Sequence, residues 1–105
     1  DRPMSPREDR DAALEAAIFT LLGERGSGRT ISATDAARAV GGDHPDGWGP
    51  LMQPIRHLAI RLMKEGRLVI IRKGKPVDPD DFRGVYRLRL PEAGEDYGPG
   101  NSALE

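Results

Sequence analysis

Cysteine is absent from this 105-residue chain, which removes disulfide bonding, thiolate zinc ligation and thiol catalysis from consideration. Long apolar runs are missing too. No stretch approaches the roughly 20 residues needed to cross a bilayer, and the N-terminus carries no secretory hydrophobic segment. A cytoplasmic location without membrane contact is therefore expected. Aromatic residues reach 5%, and the one tryptophan, Trp48, stands just before a helix, where it reads as a packing anchor rather than a base-stacking ring. Histidine is scarce: His44 with Asp43 and Asp46 in a Gly-, Asp- and Pro-rich loop is too sparse a set to suggest a metal site. No cofactor or metal is expected. No serine or threonine has an evident base and orienting partner, and the adjacent Asp80 and Asp81 do not suggest an acid–base pair, so catalysis is not expected either.

Net charge is small, −1, but it is unevenly spread. Residues 1–47 carry six basic and nine acidic side chains, residues 48–90 ten and four, and residues 91–105 none and four. A segment of +6 thus sits between acidic ends, the pattern of a surface that meets a polyanion. The chain opens on Asp1 rather than methionine, as expected for a piece of a longer protein.

Helical punctuation is clear. Ser5-Pro6-Arg7-Glu8 combines a cap, a proline suited to the first helical position and a glutamate able to bond back to the cap amide. Leu14, Ala17, Ile18, Leu21 and Leu22 follow at helical spacing up to a stop at Gly26, which predicts a first helix over about 6–25. Thr30 and Ile31 suffice for a short strand only. Ser32 and Asp35 repeat the capping pattern for a second helix through Ala36, Ala37 and Val40, ending at Gly41-Gly42. Asp43–Gly49 reads as loop. Pro50 opens a third helix to about 65, with Leu51, Ile55, Leu58, Ala59 and Leu62 inward and Gly66 as its stop. Residues 67–72 hold four consecutive apolar residues, Leu68 to Ile71, and read as a central strand, followed by a loop over 73–84. The last strand, 85–90, alternates Tyr86, Leu88 and Leu90 against Arg87 and Arg89. The expected core joins Leu21, Ile55, Leu58, Leu62 and Leu88.

Helix, short strand, helix, helix, strand, loop, strand is the order of an α+β winged helix: a three-helix bundle containing a helix-turn-helix, closed by a C-terminal β-hairpin wing. The domain is expected to span 1–91, with a flexible acidic tail at 92–105. The spacing of a phosphate-binding loop at Gly23–Thr30, with Arg29 for lysine, is rejected because a helix precedes it and a strand follows.

Particular residues also resemble a family. Thr30-Ile31-Ser32, Asp35–Val40, Trp48–Arg56, Leu62, Gly66, Lys73–Pro79 and the Gly84–Leu90 strand together resemble a bacterial domain-of-unknown-function family, DUF3253-like, over about residues 14–90. The resemblance implies a winged-helix fold and assigns no activity. Gly49 departs from it, since that family often carries a larger, frequently basic residue there.

In a winged helix the third helix is the element that reads DNA. Its outer face here offers Gln53, Arg56, His57 and Lys64, with Arg61 on the flank. Gln53 and Arg56 are suited to base edges, Arg61 and Lys64 to phosphates. The wing adds Arg72, Lys73, Lys75 and Arg83, although Asp78, Asp80 and Asp81 in the same loop oppose phosphates. The leading expectation is a duplex-DNA-binding module, a transcription regulator or accessory domain. The alternative is a protein-interaction winged helix, or a homodimer, docking through Ile60 or through the sheet's outer face at Val69 and Ile71.

Overall fold

A computed structural model describes residues 5–92, 94 and 95. The expected tail at 92–105 lies outside the described residues except for Glu92, Gly94 and Glu95.

Helix α1, Pro6–Arg25, begins with the full capping box. The Glu8 amide donates to Ser5 Oγ at 3.2 Å and the Ser5 amide to Glu8 Oε1 at 2.8 Å. Leu14, Ile18 and Leu22, one residue per turn, form its buried row. Leu21 stands beside that row and is only half-buried, a correction to the expected core. Gly26 ends the helix at φ +96°, a conformation that penalises a side chain. Strand β1, Thr30–Ser32, leads directly into α2, Ala33–Gly41, through a second capping box between Ser32 and Asp35, both bonds 3.0 Å.

The expected loop at 43–49 is partly helical. Pro45–Trp48 form one turn, α3, started by His44, whose Nδ1 accepts the Asp46 amide at 3.1 Å. Gly41 and Gly47 pack backbone to backbone here, and a Cβ on either would collide with the other's carbonyl. Trp48 is packed against the core, donates its indole N–H to the Asp43 carbonyl at 3.2 Å and lies under the Arg38 guanidinium. It is the anchor its position suggested. A 3-10 turn at Gly49–Leu51 absorbs Pro50, so the third long helix, α4, starts at Met52 and runs to Lys64. Ile55, Leu58, Ala59, Leu62 and Met63 are its buried side.

The sheet is antiparallel, in the order β1-β4-β2-β3. Strand β2 is Val69–Arg72, β3 Lys75–Pro76 and β4 Arg87–Arg89. The hairpin expected between 67–72 and 85–90 is present, with Val69 opposite Arg89 and Ile71 opposite Arg87. Two pairings lie beyond that expectation. β1 closes the other side of β4, Ile31 facing Leu88, and Arg72 pairs with Lys75 across a tight turn at Lys73-Gly74. Both turn residues have positive φ, 55° and 80°, the geometry that matches the twist of a two-residue hairpin. The segment after β3 is therefore not one open loop. It turns over 78–81, buries Phe82 against Tyr86 (ring centroids 5.4 Å apart, edge to face), and then enters β4. Leu14, Ile18, Ile31, Ile55, Leu62, Ile70 and Leu88 are fully buried in one core between helices and sheet. The fold is α+β and winged-helix-like: three long helices with a small antiparallel sheet.

Candidate nucleic-acid interface

The outer face of α4 is divided between two neighbours. On one side the segment after β3 leans onto the helix. Arg56 Nη2 donates to the Phe82 carbonyl at 2.7 Å, and its guanidinium lies 4.0 Å from the centroid of the Phe82 ring. Two turns on, Lys64 Nζ meets Asp80 Oδ1 at 2.6 Å. Ile60, between them on the same face, is half-buried against the core. Arg56, expected to read bases, is thus committed to holding this segment, and Lys64 is paired with a carboxylate.

On the other side, α4 and the first half of α1 border an open groove of about 540 Å³. Gln53, His57 and Arg61 line it from α4, and Arg7, Arg10 and Asp11 from α1. Gln53 and His57 are exposed, and no hydrogen bond of their side chains is formed among the described residues. Arg10 is held by Asp11, its Nη2 and Oδ1 3.0 Å apart. Arg61 reaches Glu15 at 3.3 Å and Glu65 at 3.7 Å. Glu15 also takes Arg67 at 2.6 Å, so that one carboxylate links α1, α4 and the approach to β2. Ion pairs this exposed hold geometry loosely and leave the cations available to a stronger anion.

The wing cations form a third group. Lys73 and Lys75 are exposed at the β2–β3 turn. Arg72 and Arg83 share a shallow depression with Val77, Asp78, Asp81 and Phe82. The Arg72 guanidinium lies against Gly84, where a Cβ would come within 2.5 Å of Nη2, and its Nε is buried without a partner in the described structure. Of the nine residues predicted for DNA, the structure brings Gln53, His57 and Arg61 together, places Arg72 and Arg83 at one depression, keeps Lys73 and Lys75 on one turn and engages Arg56 and Lys64 elsewhere. Arg7 and Arg10 are additions. Counting back from Leu22, Ile18 and Leu14 in helical steps leads to them, so the periodicity that found the buried row also points these cations toward α4.

The sheet residues expected to dock a partner are covered by the chain itself, and Ile60 is partly so. Val69 and Ile71 are buried, and Ile60 is half-buried. Tyr86 is buried with its hydroxyl unpartnered among the described residues, and burial pushes its pKa above the usual 10.0, only partly offset by the nearby Arg56 charge. Among the described residues no group of three or more His, Cys, Asp or Glu side chains is placed to hold a metal ion. No helix among them is long and apolar enough to cross a membrane.

A family model described as "Protein of unknown function (DUF3253)" matches residues 11–91. The chain belongs to this family. No curated protein matches the sequence. The DUF3253 span takes in α1 from Asp11, all of α4 and the whole sheet, and ends just after β4. Gln53, His57, Arg61 and the wing cations fall inside it, whereas Arg7 and Arg10 precede it.

Proposed function

We propose that the domain binds duplex DNA, with α2, α3 and α4 as a helix-turn-helix, α4 in the major groove and the β2–β3 turn along the backbone. The observation that carries this reading is the groove in which exposed Gln53 and His57 stand beside Arg61, Arg7 and Arg10. An amide side chain and an imidazole on an open helix face suit base edges, and flanking guanidinium groups suit phosphates. Lys73, Lys75 and Arg83 supply the wing contacts. Arg56 supports the interface by holding the segment beside it and leaves base reading to Gln53. The reading is of a binding module, a cytoplasmic regulator or accessory domain, rather than an enzyme.

A salt titration with random-sequence duplex tests it. Counterion release makes low salt the favourable regime, and micromolar binding at about 50 mM salt, weakening steeply by about 200 mM, is expected. Absence of binding at the lower salt overturns the reading.

Protein docking is the second reading, and one observation favours it. Val85 is 84% exposed on the rim of an apolar groove that includes Met52, Ala33 and Tyr86. An exposed β-branched residue there suits an apolar contact with a partner or a second copy. Sedimentation at micromolar concentration that shows a dimer dissociated by Val85→Asp would support it.

A further inference from the structure

We propose that Asp80 is a built-in competitor for DNA: in the free protein its carboxylate occupies, on Lys64, the position that a backbone phosphate takes in the complex. This rests on the DNA-binding reading. The three aspartates of the wing segment are otherwise an anomaly on a surface meant for a polyanion, and their geometry separates them. The turn is self-contained, the Asp80 amide bonding Asp78 Oδ1 at 2.9 Å and the Asp81 amide bonding the Asp78 carbonyl at 3.0 Å. Asp80 alone reaches α4, at 2.6 Å from Lys64 Nζ, a distance that a phosphate oxygen would also adopt.

The two contacts of this segment with α4 differ in kind. Phe82 is buried and gripped by Arg56, so that end stays in place. The Asp80 and Lys64 side chains are 68% and 46% exposed, so their pair is weak and exchangeable. Displacing it needs a side-chain rotation and no opening of the fold. Lys64 stands on the same outer face of α4 as Gln53 and His57, three and two turns after them in the chain, so an ammonium released from the wing segment can join the surface proposed to meet the duplex. A polyanion that supplies a phosphate at that point gains a contact, and a partner without one meets a carboxylate instead.

The experiment is a double-mutant cycle on binding of a random duplex of about 20 base pairs at about 50 mM salt, using wild type, Asp80→Asn, Lys64→Ala and the double variant. Asp80→Asn is expected to tighten binding about fivefold, and the gain is expected to shrink in the Lys64→Ala background to the smaller one that removing a nearby charge gives. Asp81→Asn, which removes the same charge without touching Lys64, is expected to give a smaller gain that survives in that background. An equal gain with and without Lys64 reduces Asp80 to general repulsion, and no gain shows that its carboxylate does not oppose the duplex; either overturns the proposal while leaving DNA binding intact. Failure of all the proteins to bind overturns both.

Discussion

Arg56 and Phe82 form the firmest link between α4 and the wing segment: one guanidinium both donates to the Phe82 carbonyl at 2.7 Å and lies 4.0 Å from the centre of its ring. A charge-assisted hydrogen bond and a cation–π contact together make this a structural pair. Arg56→Ala is expected to cost about 1–3 kcal/mol in urea unfolding. Arg56→Lys should recover little, since an ammonium cannot reproduce the planar fork and the stacking at once. If either variant instead keeps full stability and changes base preference, Arg56 is a reader after all.

Leu22 and Leu21 are neighbours in sequence with different fates. Leu22 is fully buried and Leu21 only half. Leu22→Ala should cost about 2–5 kcal/mol, as should Leu58→Ala on α4, and Leu21→Ala clearly less. Denaturant midpoints for the three variants check the assignment, and a larger loss at Leu21 would rotate α1 relative to the core.

Lys73 occupies a left-handed position at φ 55°, which a lysine adopts at some cost. Asparagine is the residue that this turn prefers before glycine. Lys73→Asn should raise stability by up to about 1 kcal/mol and yet weaken duplex binding, with the salt slope lower by about one unit. Opposite signs on the two axes distinguish a phosphate contact from a lysine that serves the fold. Lys75→Ala should lower the slope similarly without the gain in stability.

Tyr86 offers a test by pH. Burial favours the neutral phenol, so its pKa in the folded protein lies above the usual 10.0, with Arg56 pulling weakly the other way. The folded state then holds this proton more tightly than the unfolded chain. Its contribution is complete below about pH 10 and is lost as pH rises through the folded value. Above about pH 10, wild type should lose stability more steeply than Tyr86→Phe. Because the hydroxyl has no partner among the described residues, Tyr86→Phe should match or exceed wild type at neutral pH by up to about 1 kcal/mol. Parallel alkaline melting curves would show that the hydroxyl is solvated or bonded.

Local chemistry made the helix starts legible. Ser5 with Glu8 and Ser32 with Asp35 are complete capping boxes, readable because every participant lies within four residues. The strands beside Leu68–Ile71 and Tyr86–Leu90 were equally plain. The turn at Pro45–Trp48 was hidden because a histidine, rather than Ser, Thr, Asp or Asn, caps it. The Lys73-Gly74 hairpin was hidden because lysine is an unusual occupant of a left-handed site. For the site, a helical wheel identifies Gln53 and His57 as outward, but Arg56 and Lys64 look the same on that wheel. Only the return of Asp80 and Phe82, many residues later, sets them apart. Arg7 and Arg10 join Arg61 for the same reason: α1 and α4 meet only in the folded molecule.

Strand β4 is the last piece of the matched span to leave a ribosome, yet it lies between β1 and β2 and is the hydrogen-bonding partner of both. Until it emerges, β1 has no ladder to join and Ile31 no Leu88 to face, and the first helices can associate only as an unclosed bundle. Closure therefore waits on contacts between residues as far apart in the chain as Ile31 and Leu88, a loop-closure cost that slows folding. A chain released before Leu88 should expose the underside of three helices at once, and such nascent or truncated forms are the ones that chaperones and proteases would meet.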